Sequence, residues 1–182
     1  MKTLVILPGN SKRNAVWNKE IQDRFGTWFD EVYAQSYDHW EEVNGSIDFQ
    51  SELTKLKQYI SSNPEETEYY VFVKSFGTIL TLFAIDQGVI APEKCVLFGL
   101  PLNLVEEQNI FNGDWTPLEQ LCVPTYVALN IKDPVANYDF TSKKIQEMNP
   151  TLHVEKFTAD THAYDEYEKY TLSLKTFLAF GL

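Results

Sequence analysis

The sequence has few cysteines, little positive charge and no long apolar run, and each shortage excludes a class of protein. Two cysteines among 182 residues do not make a disulfide scaffold. Neither has neighbours at metal-ligand spacing, so no metal site is predicted. A structural disulfide is not expected in the cytoplasm, the compartment that the rest of the sequence indicates. No apolar run approaches the ~20 residues of a membrane span, and the first, Leu4 to Leu7, is too short for a signal-peptide core. The sequence therefore predicts a cytoplasmic protein.

Positive charge is scarce, because 15 Lys and Arg residues stand against 26 Asp and Glu, a formal net charge of −11. The electrostatic field of a protein with this negative charge repels nucleic acid and the anionic surface of a membrane, so neither is expected as a partner. With only 8 Gly and 8 Pro, collagen-like and low-complexity classes are also excluded. Apolar residues make up 44% of the chain, enough for a sizeable core, and the length favours one domain over residues 1–182.

Short, nearly continuous apolar runs alternate with longer stretches at helical spacing. This pattern is typical of a parallel sheet with helices on both faces. The predicted fold class is therefore α/β, with three α/β/α layers around a six-stranded, mostly parallel sheet. The strands are expected at Thr3–Leu7, Glu31–Gln35, Tyr69–Val73, Lys94–Phe98, Thr125–Asn130 and Leu152–Phe157. The helices are expected at Asn14–Arg24, Phe49–Ser61, Phe76–Gln87, Tyr138–Asn149 and Tyr164–Phe180, with an irregular loop over about Pro101 to Pro117.

A serine stands where the third predicted strand meets the third predicted helix. The sequence there is Val73-Lys74-Ser75-Phe76-Gly77. A sharp strand-to-helix turn around a nucleophilic serine needs small residues nearby. Gly77 is one of them, whereas Val73 occupies the position where the full pattern has a second Gly. The serine is therefore either a nucleophile or a helix N-cap.

A nucleophilic serine needs a base and an acid that orients the base, and the chain has only three histidines. His153 lies inside a predicted strand and His39 in a loop, whereas His162 follows the carboxyl end of the last strand. Asp133 follows the fifth strand, although an Asp before Pro is also a common turn former. Ligand sites in such folds lie beyond the carboxyl ends of strands. Because Ser75, Asp133 and His162 each follow a separate strand, they are predicted to form a catalytic triad.

Two backbone amides are predicted to stabilise the negative charge that develops on a carbonyl oxygen during attack. One is the N–H of Phe76, directly after the serine. The other is the N–H of Asn10 after the first strand, where Gly9 permits a tight turn. The same turn, followed by Lys12 and Arg13, could instead bind phosphate, but it lacks a Gly-rich fingerprint. This chemistry needs no cofactor, and none is predicted.

Several aromatic and imidazole side chains are candidates for contacts with the substrate. Phe111, Trp115 and His39 are predicted to bind it. The aromatic segments Asn109–Trp115 and Tyr37–Trp40 are compatible with pocket walls, with core positions or with a contact surface. A second hypothesis is therefore a non-catalytic interaction module that binds a protein partner, and a third is a flavodoxin-like nucleotide binder.

The motifs resemble those of the α/β-hydrolase superfamily, and more closely its small lidless members, the retinoblastoma-binding-protein-type serine hydrolases. The resemblance implies a minimal α/β-hydrolase sheet and a carboxylesterase-like activity on a small acyl substrate. It assigns Ser75 as nucleophile, Asp133 as acid and His162 as base. The chain departs from the family where Lys74 replaces a frequent His and where Asp160-Thr161 replaces small residues. The matching segments are Leu7-Pro8-Gly9-Asn10, Ser75-Phe76-Gly77, Asp133-Pro134 and Lys156-Phe157 leading to His162.

Overall fold

A computed structural model of the chain describes residues 1–42 and 46–178. Within these residues six strands form one sheet, and seven α-helices connect or flank them. The strands are β1 (Lys2–Leu7), β2 (Glu31–Ala34), β3 (Glu68–Lys74), β4 (Lys94–Phe98), β5 (Thr125–Asn130) and β6 (His153–Phe157). The helices are α1 (Asn14–Phe25), α2 (Phe49–Ser62), α3 (Phe76–Asp86), α4 (Leu102–Glu107), α5 (Thr116–Glu119), α6 (Tyr138–Met148) and α7 (Tyr167–Leu178).

The sheet has the order β2-β1-β3-β4-β5-β6, and every neighbouring pair of strands is parallel. Leu7 at the end of β1 is paired with Val73, and Lys74 at the end of β3 is paired with Phe98. Because all strands point the same way, their carboxyl ends meet along one edge of the sheet. The predicted three-layer α/β fold with six strands is confirmed.

Side chains of successive strand residues enter two separate cores, one on each face of the sheet. In β3, Val71 and Val73 pack with α2 to α6, whereas Tyr70 and Phe72 pack with α1 and α7. This double burial explains why the strands are nearly continuous apolar runs rather than alternating ones.

The predicted loop between Pro101 and Pro117 is wrong in part, because α4 lies inside it and α5 begins within it. Pro117 stands in the first turn of α5. Backbone N–H groups there have no intrahelical acceptor, so a proline, which lacks the N–H, costs the helix no hydrogen bond. Asp114 Oδ1 accepts the N–H of Thr116 at 2.9 Å and so supports the same helix start.

The last helix begins at Tyr167, three residues later than predicted, and its predicted end at Phe180 lies outside the described residues. No helix in the described part of the chain is long and apolar enough to cross a membrane.

Candidate active site

Ser75 forms a sharp turn between β3 and α3. Its backbone has φ 52° and ψ −118°, a conformation that is rare and strained for a residue with a Cβ. The Ser75 N–H donates to the carbonyl oxygen of Phe98 at 2.8 Å, which fixes the turn against the end of β4. Strain of this kind persists where the surrounding structure enforces it, and it is common at functional sites.

Gly77 lets the first turn of α3 approach the end of β1. A Cβ built on Gly77 would lie 2.1 Å from the carbonyl oxygen of Leu7 and 2.7 Å from that of Pro8. Backbone atoms would occupy the space of any side chain, so only glycine fits at this position. The close approach brings the turn at Ser75 next to the loop that contains Asn10.

Asp133 and His162 are in direct contact. The distance from His162 Nδ1 to Asp133 Oδ2 is 2.8 Å, and Asp133 Oδ1 accepts the N–H groups of Val135 and Ala136 at 2.8 and 2.9 Å. The Asp133 side chain is fully buried and the His162 side chain is 19% exposed. Burial raises the pKa of Asp133, but the imidazole and the two N–H groups outweigh it, so this pKa lies below its usual value. Asp133 is thus an ionised acceptor that orients the ring.

Tyr164 is a member of this site that the sequence analysis missed. Its hydroxyl donates to Asp133 Oδ2 at 2.8 Å and accepts the N–H of Asn130 at 3.0 Å. Burial, and then the charge of Asp133, raise the pKa of Tyr164 well above the usual range, so the hydroxyl stays a donor. Tyr164 and Asp133 are 31 residues apart in the chain, so no local pattern indicates this contact.

Ser75 and His162 adjoin the same end of β4. The N–H of Ser75 donates a hydrogen bond to the carbonyl oxygen of Phe98, the last residue of β4. A Cβ on the next residue, Gly99, would lie 2.9 Å from His162 Cε1. His162 Nε2 is buried and has no hydrogen-bond partner among the described residues. With Nδ1–H donating to Asp133, Nε2 carries the lone pair of a general base. The structure brings Asp133 and His162 into hydrogen-bond contact and records no such contact between His162 and Ser75.

Three side chains of the segment Tyr37–Trp40 hold the loop after β1. The Tyr37 hydroxyl donates to the carbonyl oxygen of Pro8 at 2.8 Å. His39 Nε2 and Trp40 Nε1 both donate to the carbonyl oxygen of Asn10, at 2.8 and 2.7 Å. These contacts fix Asn10, one of the two predicted amide donors. The other, Phe76, is the first residue of α3, where amides have no intrahelical acceptor.

The three predicted substrate-binding side chains lie in different places. His39 touches the Asn10 loop, as described above. Phe111 is buried and makes edge contacts with Phe83 and Trp115, at ring centroid distances of 5.1 and 5.4 Å. Phe83 is seven residues beyond Phe76 in α3, which is about 10 Å along the helix axis. The ring contacts of Phe111 and Trp115 thus involve residues away from Ser75, and their role in substrate binding stays a prediction.

Most of the aromatic side chains considered for a contact surface belong to the core. Tyr37, Trp40 and Phe111 are all buried. Trp115 is half-buried, with Lys144 Nζ 4.3 Å from its ring centroid.

Within the described residues, no group of three His, Cys, Asp or Glu side chains could hold a metal ion.

Comparisons with known proteins support the fold. No protein-family model matches the sequence, and no curated protein matches it. Among solved structures, a YdeN-like hydrolase of Pectobacterium atrosepticum superposes with a TM-score of 0.73 at 16% identity, covering 96% of this chain and 89% of that one. The esterase Pf2001 of Pyrococcus furiosus gives 0.74 at 14% identity, with coverages of 98% and 82%.

A third structure, Est1E of Butyrivibrio proteoclasticus with ferulic acid bound, gives a TM-score of 0.71 at 13% identity and covers 98% of this chain and 88% of that one. These neighbours are hydrolases and esterases. The chain therefore has the fold of the α/β hydrolases.

Proposed function

We propose that this protein is a serine hydrolase that cleaves a small ester or thioester-like acyl substrate. One observation supports the proposal most strongly: the buried Asp133 accepts Nδ1–H of His162, whose Nε2 has no hydrogen-bond partner among the described residues, and Ser75 occupies a strained turn at the end of the neighbouring strand β3. Among α/β hydrolases, the motif resemblance favours the retinoblastoma-binding-protein type. The hydrolase and esterase neighbours support the general class of reaction.

The proposed reaction has two steps. His162 Nε2 takes the proton of the Ser75 hydroxyl as Oγ attacks the carbonyl carbon of the ester. The N–H groups of Asn10 and Phe76 stabilise the oxyanion of the tetrahedral intermediate. His162 then gives the proton to the leaving oxygen, and an acyl-enzyme on Ser75 remains. Water, activated by the same imidazole, hydrolyses that ester and restores the serine.

Asp133 stays ionised throughout this cycle. Its lowered pKa means that it remains a carboxylate at neutral pH while His162 gains and loses a proton. Its role is to hold the ring in the tautomer with the lone pair on Nε2 and to stabilise the imidazolium form. Tyr164 and the two backbone donors keep the carboxylate in place.

The direct test is labelling with a fluorophosphonate probe, which reacts with activated serines. We expect one adduct per chain, mapped to Ser75 by mass spectrometry, and much slower labelling after His162→Ala. Ser61→Ala, at an exposed serine of α2, is the matched control and should label normally. Folded protein that remains unlabelled at Ser75 would contradict the proposal.

Trp40 is expected to support the reaction through Asn10. Trp40→Phe keeps an aromatic ring but removes the N–H donated to the Asn10 carbonyl oxygen, so the Asn10 amide is held less well. We expect kcat on a short p-nitrophenyl ester to fall about tenfold, less than the loss of an oxyanion donor itself, with KM changed less than twofold. The measurement is steady-state kinetics. Trp28→Phe, outside the site, is the control, and an unchanged kcat for Trp40→Phe would remove this role.

A further inference from the structure

A cavity of about 410 Å³ lies beside His162, between α1 and the loop that carries the imidazole. Its lining includes Asn14 and Trp17 of α1, and also Lys74, the residue that directly precedes Ser75. The roles assigned above to the proposed triad and to the two amides leave this cavity without a function. It nevertheless shares His162 with the triad and Lys74 with the strand that positions the serine.

The ammonium group of Lys74 is the distinctive group of this cavity. Lys74 is only 6% exposed. Its Nζ donates to Asn14 Oδ1 at 2.9 Å and lies 5.7 Å from the ring centroid of Trp17. Among the described residues, no carboxylate comes within ion-pairing distance of it. A buried cation without an anionic partner is energetically costly, so its retention in a cavity suggests a ligand that supplies the anion.

The acidic groups of the cavity do not fill that role. Glu20 Oε2 accepts the hydroxyl of Tyr167 at 2.7 Å, and Asp165 is exposed. Burial lowers the pKa of Lys74 to about 8, although Asp165, Asp133 and Glu20 act to raise it. Lys74 is therefore still charged at pH 7. Arg13, exposed at the rim, is a second cation lining the same cavity.

The position of His162 decides which part of a substrate the cavity faces. In the proposed reaction His162 gives its proton to the leaving oxygen, so the leaving group must lie beside the imidazole. The cavity is lined by His162 but not by Ser75, Asn10 or Phe76, so a leaving group that starts beside the imidazole would place only its distal end in the cavity. We propose that this cavity binds a carboxylate on the leaving group through Lys74. The preferred substrates would then be hydroxy acids that are acylated on the hydroxyl group and keep a free carboxylate. This inference rests on the proposed serine hydrolase function.

A matched pair of esters tests the proposal. 4-Acetoxybenzoate has an anionic leaving group, whereas methyl 4-acetoxybenzoate has a neutral one of similar shape. We expect the ratio of kcat/KM for the anionic over the neutral ester to be about tenfold higher in wild type than in Lys74→Met, as for loss of a charge-assisted hydrogen bond. Comparing ratios cancels the intrinsic reactivities of the two esters. Lys19→Met, at an exposed lysine of α1, should leave the ratio unchanged.

A second variant and an inhibition assay cover the case in which Lys74→Met does not fold. Arg13→Met, at the exposed rim, is expected to lower the ratio about threefold. In the wild-type protein, benzoate should inhibit competitively and more strongly than benzamide. An unchanged ratio in both variants, or equal inhibition by the acid and the amide, would overturn the site.

Failure of this site is distinguishable from failure of the proposed function. If Ser75 is labelled and the neutral ester is hydrolysed without any effect of Lys74, the function stands and the carboxylate site is wrong. If Ser75 is unlabelled and neither ester is hydrolysed, the function fails, and binding of the product 4-hydroxybenzoate then decides the site. Weaker binding to Lys74→Met than to wild type, measured by NMR titration, supports the site; equal binding overturns it.

Discussion

Replacement of Ser75 by alanine is expected to lower kcat on a short p-nitrophenyl ester by at least about 10⁴-fold. The variant lacks the hydroxyl oxygen that attacks the substrate and forms the acyl-enzyme, so the base has no serine to deprotonate. The measurement is steady-state hydrolysis at high enzyme concentration, combined with far-UV circular dichroism to verify the fold. Substantial residual turnover in a folded Ser75→Ala protein would mean that another group carries the reaction.

A second substitution at the same position separates chemistry from strain. Ser75→Gly also lacks the nucleophile, but glycine accepts φ 52° and ψ −118° without the steric cost of a Cβ. We therefore expect it to be as inactive as Ser75→Ala and more stable than it by about 1 kcal/mol. Urea unfolding of the two variants compares their stabilities. Equal or lower stability of the glycine variant would show that the strain relieved at this turn is no larger than the entropy cost of glycine in the unfolded chain.

Replacement of Gly77 by alanine is expected to cost at least about 3 kcal/mol of unfolding free energy or to prevent folding. The added Cβ would lie 2.1 Å from the Leu7 carbonyl oxygen, so α3 must move away from β1. The same movement would separate Ser75 from the Asn10 amide and abolish hydrolysis even in a folded fraction. Chemical denaturation together with activity per folded molecule measures both effects.

Gly88 supplies the matched control for Gly77. It follows α3 with φ 65°, and a Cβ there would meet nothing within 4 Å. Asparagine tolerates positive φ, so Gly88→Asn is expected to cost less than about 1 kcal/mol and to keep full activity. If Gly77→Ala were as mild as Gly88→Asn, the close approach of α3 to β1 would not matter.

The sheet could be predicted from the sequence because both of its faces are buried. A strand such as β4 needs apolar side chains on both sides, so the four apolar residues Cys95–Phe98 after Lys94 stand out as a strand, and the structure has the predicted bounds Lys94–Phe98. The carboxyl ends of parallel strands share one edge, so Asp133 and His162, which follow the ends of β5 and β6 by three and five residues, could be expected to meet. Their contact needed no knowledge of the loops in detail.

The last helix could not be placed correctly from the sequence, for a physical reason. Tyr164, Tyr167 and Tyr170 have helical spacing, and the pattern therefore predicts a helix from Tyr164. In the structure Tyr164 has φ 52° and its hydroxyl is bonded to Asp133, so the helix starts only at Tyr167. A tertiary hydrogen bond over 31 residues has overridden a local pattern, and no local signal reveals such a bond.

Asn14 has a consequence for how this site could diverge during evolution. Its Oδ1 accepts a hydrogen bond from the ammonium group of Lys74 at 2.9 Å. Its Nδ2 donates a hydrogen bond at 3.0 Å to the carbonyl oxygen of Ser11, the residue after Asn10. One amide side chain therefore joins the cavity to the loop beside the serine. Substitutions in the two regions should combine non-additively, so a descendant sequence that alters Lys74 would be expected to alter Asn14 with it.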